Sequence, residues 1–229
     1  MTNFRRVMAT IAFCVAMLML LLTIGAPRAS ADSVFDLTSG NSALTGFAGP
    51  YAVVDVHLDS STVATITFTS LTNAGDIYLL GDGGTVGVNV NATSFVLGFI
   101  TGSNAGTGFT PGILTDGGSN NVDGEGVFNQ TIDSFDGFTH SSDTVSFTLT
   151  NTGGTWASAA NVLVANADGF DAAAHIFVTS FPADQANGAI ATGFAGESAG
   201  PVTAPEPSSL ALLLTGLVGF AARRRKLLA

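Results

Sequence analysis

Thr144-Val145-Ser146-Phe147-Thr148-Leu149-Thr150-Asn151 is the stretch on which the fold turns. Its valine, phenylalanine and leucine alternate with hydroxyl side chains at period two, so an extended strand presents one apolar and one wet face. A helix would scatter the same three apolar groups around its circumference. The pattern recurs upstream. In residues 51–58, Val54, Val56 and Leu58 oppose Asp55 and His57; in 62–70, Ala64, Ile66 and Phe68 oppose Val63, Thr65 and Thr67. Further strands are predicted over 76–80, 85–90, 94–100, 161–164 and 175–181. Turn clusters such as Asn73-Ala74-Gly75-Asp76, Gly81-Asp82-Gly83-Gly84 and Asn151-Thr152-Gly153-Gly154 separate the runs. This rhythm predicts an all-β fold, an antiparallel β-sandwich close to a jelly roll, with helix confined to short pieces within 157–167 and around 172–174.

Residues 101–141 break the rhythm. They are rich in Gly, Asn, Asp, Thr and Ser, yet carry Phe109, Phe128, Phe135 and Phe138. A disordered loop rarely carries so many aromatic rings, so the segment is expected to be an ordered excursion pinned by its phenylalanines, with an extra strand near 126–132. The sandwich domain is placed at 32–194, followed by a Gly/Ala/Pro linker at 195–204. The pentapeptide Thr-Gly-Phe-Ala-Gly occurs at 45–49 and again at 192–196, either by coincidence or as matching domain edges.

Charge is partitioned along the chain. The 7 Lys and Arg lie at positions 5, 6, 28 and 223–226, whereas the 17 Asp and Glu all lie between Asp32 and Glu206. A body of about 175 residues is ample for one hydrophobic core, and its own cations are three histidines at most. Such a surface repels phosphate backbones and anionic headgroups, which excludes nucleic acid as a partner. The single cysteine, Cys14, lies in the N-terminal leader, so stability rests on packing rather than disulfides.

Both ends read as addresses. Arg5 and Arg6 precede an apolar stretch over 7–26, and Ala29-Ser30-Ala31 supplies the small-x-small pattern that signal peptidase requires; residues 1–31 are therefore expected to be a signal peptide. At the other end, Pro205-Glu206-Pro207 precedes an apolar run over 210–222 and then Arg223, Arg224, Arg225 and Lys226. The run can enter a bilayer, the basic cluster stays cytoplasmic, and the prolines keep the flanking segment extended. As a helix, 208–222 spans about 22 Å against a hydrocarbon core of about 30 Å, short for a permanent anchor.

That order and spacing, from Pro205 to Lys226, resemble the PEP-CTERM sorting signal. The resemblance implies a tail at 205–229 made of motif, transmembrane helix and basic cluster, read by the membrane protease-transpeptidase exosortase. It implies an exported protein, held transiently in the inner membrane through its unprocessed tail and destined for the cell surface or the extracellular space. Body segments such as Ala64-Thr65-Ile66-Thr67-Phe68, Gly87-Val88-Asn89-Val90-Asn91 and Ala173-Ala174-His175-Ile176-Phe177-Val178 are similar to those of exported PEP-CTERM proteins, often from exopolysaccharide-producing bacteria. The resemblance brings no catalytic residues.

Three readings of the body compete. A secreted hydrolase would need a nucleophile and base; His140 with Ser141, Ser142, Asp136 or Asp143 is the nearest grouping, but no Gly-x-Ser-x-Gly elbow is present. Paired carboxylates cannot be singled out among so many, and only Trp156, Tyr51 and Tyr78 offer rings for sugar stacking. A calcium-dependent carbohydrate-binding module is the second reading. Asn121-Val122-Asp123-Gly124-Glu125-Gly126 imitates the start of an EF-hand loop, but Ile132 stands where the closing glutamate belongs. A looser oxygen cage from Asp123, Glu125, Asp133 or Asp136, or from Asp168 with Asp171, stays open, whereas His57, His140 and His175 lack transition-metal spacing. The third reading, adopted here, is a non-enzymatic surface or matrix protein without catalytic or metal-ligating residues or cofactor, associated with exopolysaccharide.

Overall fold

The computed structural model describes residues 32–104, 109–180 and 188–197. The expected signal peptide with Ala29 and Ala31, residues 198–204 of the expected linker and the tail at 205–229 lie outside the described residues. Among the described residues no helix is long and apolar enough to cross a membrane. In chain order the strands are β1 (Ser33–Leu37), β2 (Ser39–Gly40), β3 (Ala52–Ser60), β4 (Val63–Ser70), β5 (Thr72–Asn73), β6 (Asp76–Leu80), β7 (Gly83–Val88), β8 (Phe95–Ser103), β9 (Thr115–Val122), β10 (Gly126–Ser134), β11 (Thr144–Asn151), β12 (Ala172–Ser180) and β13 (Ala191–Glu197). Three single-turn 3-10 helices complete the described elements.

The strands form two antiparallel sheets. The first has the order β1-β3-β4-β11-β8; the second runs β2-β13-β12-β7-β10-β9, with β6 on β12 and β5 on β6. Alternation places the core between them. From β11, Val145, Phe147 and Leu149 are all buried, and Phe147 stacks on Phe68 of β4 at a ring separation of 6.4 Å. Tyr78, Leu80, Val86, Val88, Ile132, Ile176 and Val178 meet them from the second sheet. The all-β antiparallel architecture expected from the sequence is present.

β12 is apolar at nearly every position because both of its faces are covered. Ala172, Ala174, Ile176 and Val178 face the main core. On the reverse face, Phe177 packs with Leu79 and Phe109, and Ala173 with Val122 and Phe128. The cover is the 101–141 excursion, pinned through three of its four phenylalanines. Phe109 packs edge-on against Phe138 at 5.0 Å, Phe138 tilts against Phe177 at 5.6 Å, and Phe128 is fully buried. Phe135 departs from the expectation, 77% exposed.

Several elements differ from the sequence expectation, each for a tertiary reason. Gly81-Asp82 does not reverse the chain. It kinks a continuous path in which β6 and β7 lie end to end along one edge of β12, with Gly81 N donating to His175 O at 2.7 Å. A Cβ at Gly81 would reach Phe177 Cε1 at 2.6 Å, so glycine is required there by close approach. Residues 161–164 are not a strand; a 3-10 turn at Ala159–Asn161 leads to one bridge, Val90 to Leu163. The expected helix at 172–174 is the start of β12, held by β7 and β13. β13 runs to Glu197, three residues past the expected domain end, with Ala195 fully buried. The repeated pentapeptide is a loop in its first copy and strand β13 in its second, so the copies do not mark equivalent edges.

Candidate functional sites in the acidic loops and the tail

The EF-hand-like segment is a β-hairpin turn. β9 and β10 pair with Val122 opposite Gly126, Glu125 N donates to Val122 O at 2.9 Å, and Gly124 and Gly126 take φ of 85° and 88°. The positive φ values explain the glycines without a cation. This hairpin folds Glu125 inward over the reverse face of the second sheet. Its side chain lies against the Cα of Gly196, where Phe170 also packs, and the residue is 2% exposed. Its Oε2 finds no hydrogen-bond partner. Burial, and then the charge of Glu197, push the Glu125 carboxyl up to about 7. Asp168 sits against Gly126, and Asn166 Nδ2 ties the loop to Glu125 O at 2.8 Å.

The other acids of the imagined cage are elsewhere. Asp133 and Asp116 share the β9–β10 ladder, where Gln130 Nε2 donates to Asp116 Oδ1 at 2.8 Å. Asp133 Oδ1 is buried without a partner, and burial raises this carboxyl first, the Asp116 charge adding to it. Asp136 instead accepts from Ile113 N at 2.8 Å, bracing the excursion. Asp171 belongs to the backbone junction with β13, its N donating to Glu197 O. Among the described residues no group of three or more His, Cys, Asp or Glu is arranged to hold a metal ion.

The serine–histidine grouping is likewise committed to local structure. Ser141 Oγ donates to Phe138 O at 2.7 Å, and His140 Nδ1 contacts Asp136 O at 3.0 Å and Thr139 Oγ1 at 3.1 Å. These bonds close a 3-10 turn at Phe138–His140 rather than aligning a base with a nucleophile. The three rings proposed for sugar stacking are all buried: Trp156 donates to Asn91 O, Tyr51 to Phe47 O and Tyr78 to Ala48 O. Trp156 forms part of the core beside an open cleft of about 470 Å³ lined by Asn91, Thr93, Asn151 and Thr155.

His175 is held within β12. Its Nδ1 meets Asp82 O, its ring stacks on Phe194 at 4.3 Å, and burial lowers its pKa. His57 lies on the wet face of β3, as its alternation predicts, within 2.5 Å of Asp32 Oδ1 and 3.8 Å of Asp59 Oδ1. The bond to Asp32 raises the His57 pKa. The sequence pattern exposed His57 but not its link to Asp32, which is created by β1 pairing beside β3.

The sorting residues Pro205, Glu206, Pro207, Arg223, Arg224, Arg225 and Lys226 lie beyond β13, the last described strand. Residues 203–226 match the family model of the PEP-CTERM protein-sorting motif. The chain therefore carries a PEP-CTERM sorting signal, which implies export, cell-surface sorting and exosortase processing. No curated protein and no solved structure matches the chain.

Proposed function

We propose that this chain, bearing a PEP-CTERM signal, is a non-enzymatic component of the cell surface or extracellular matrix, delivered as a jelly-roll-like sandwich and associated with exopolysaccharide. The motif match at 203–226 supports the exported, surface-directed part of the reading, and the acidic, Lys- and Arg-free composition of the body motivates the rest. Signal peptidase cuts after Ala31 and leaves Asp32 first, a residue whose carboxylate holds His57. The tail then anchors the body transiently in the inner membrane until exosortase acts near Pro205-Glu206-Pro207. Residues 198–204 span at most about 25 Å when extended, enough to separate β13 from the membrane surface. The acids of the Lys- and Arg-free body repel those of other copies and oppose non-specific aggregation, and divalent cations bridge them to an acidic polysaccharide.

Replacing Pro205, Glu206 and Pro207 together by alanine tests the reading. The variant is expected to accumulate in the inner membrane with its tail uncut, while the unchanged protein reaches the surface or medium. Normal release of the variant would contradict processing at the motif.

A further inference from the structure

β8 ends the first sheet, pairing with β11 on one side and, among the described residues, with nothing on the other. Its sequence is Phe95-Val96-Leu97-Gly98-Phe99-Ile100-Thr101-Gly102-Ser103, nine residues without a charge or a proline. Leu97 and Ile100 turn inward onto the core, while Val96 is 57% and Phe99 74% exposed on the outer face. A register shift against β11 sets Gly98 and Phe99 together opposite Thr148, and this bulge brings Val96 and Phe99 to one face despite their odd spacing.

The other sheet ends are blunted. β1 is five residues long and carries Asp36; β2 has only two residues. β9 is broken by two register shifts, carries Asp116, and includes Gly118 at φ 59°. Natural sheets protect their edges by such means, because a row of free N–H and C=O groups recruits another strand. β8 has length, β-propensity and exposed apolar groups, and lacks those protections except for its one bulge.

We infer that β8 is a self-association edge, pairing antiparallel with β8 of a second copy of this chain. Charge selects that occupant. The body has no Lys or Arg, so two copies repel wherever their acids meet. No Asp or Glu lies between Asp82 and Asp116, and the neighbouring strands β4 and β11 are uncharged as well. Two copies therefore approach with least repulsion along the β8 side of the first sheet, whereas a basic partner would be drawn to the acidic loops. A two-fold axis makes the edge its own complement. The register that sets Val96 opposite Phe99 of the partner copy also sets Phe99 opposite the partner's Val96, placing both apolar pairs on the outer face. The result is one ten-stranded sheet whose six central strands, β4, β11 and β8 of each copy, carry no charged side chain, a property that goes beyond sorting and does not depend on it.

Sedimentation velocity on the exported protein purified from its host, over about a hundredfold range of concentration, tests the inference. Dimers at the upper end are expected, with association weakened at least tenfold by Val96→Asp or Phe99→Asp, since the two-fold axis makes either substitution set a carboxylate against an apolar side chain in both pairs. Val127→Asp adds the same charge at an equally exposed site on the other sheet and is expected to leave association unchanged. Hydrogen exchange of β8 amides in the unchanged protein supplies a second readout that needs no variant, with protection rising with concentration. A monomer at every concentration would overturn the inference, as would dimers that survive both β8 substitutions. Concentration-independent protection of β8 would overturn it too, by showing that a segment of the same chain covers the edge.

Discussion

Glu125 illustrates how a residue's environment departs from its sequence context. A glutamate between two glycines in an acidic loop reads as a solvated turn residue, yet the hairpin places it over Gly196 beside Phe170. Its carboxyl titrates near 7 in the folded chain and near 4.5 when unfolded, so the folded state binds more protons between those values. Stability is therefore expected to fall as pH rises from about 4.5 to about 7, and to stay lower above that range. The charge of Glu197 adds to the shift and reinforces that sign. Glu125→Gln removes the ionising group with little change in shape. Its Tm should match the unchanged protein near pH 4 and exceed it at pH 8; parallel pH curves would refute the assignment. His57 contributes with the same dependence on protonation: its raised pKa favours the fold at low pH and the benefit is lost as pH climbs through that value. The two effects act in the same direction, and the Gln variant isolates the first.

At the scale of elements, β12 and the excursion that covers it depend on each other. Phe177 is 4% exposed and joins the rings of Phe109 and Phe138 to the sheet. Phe177→Ala should cost about 3 kcal/mol or more. Amides of residues 109–141 should then exchange faster than those of β3, β4 and β11, which lie on the other sheet. Uniform loosening of both sheets would show that the cover is not a separable layer. The legibility of each element follows the source of its pairing energy. β3, β4 and β11 were readable because one wet and one buried face write period two into the sequence. Only 175–180 of β12 was readable as a strand; Ala172-Ala173-Ala174 reads as a short helix, and it is the pairing with β7 and β13 that holds those alanines extended. β9, Thr-Asp-Gly-Gly-Ser-Asn-Asn-Val, has turn composition and is a strand only because β10 holds it there. The acidic cage was illegible for a related reason. Which carboxylates meet depends on hairpin registers, and those separate Glu125, Asp133 and Asp136 into different sites.

At the scale of the whole molecule, the division of labour lies along the chain. The tail carries a sorting signal that local order and composition suffice to identify, and the family match at 203–226 agrees with it. The body carries a long-range fold in which, among the described residues, no group of three or more His, Cys, Asp or Glu is arranged to hold a metal ion. Every Lys and Arg of the chain lies at positions 5, 6, 28 or 223–226, so cleavage after Ala31 and near Pro205 would convert a chain of formal net charge -10 into a body bearing acids and histidines alone. That conversion leaves no internal trypsin site in the mature protein. The most direct test of the account is the intact mass of the protein recovered from the surface and medium of its native host. A species beginning at Asp32 and ending near Pro205 is the predicted result, with any excess mass marking a group attached during processing. A species that retains Arg223 to Lys226 at the cell surface would contradict it.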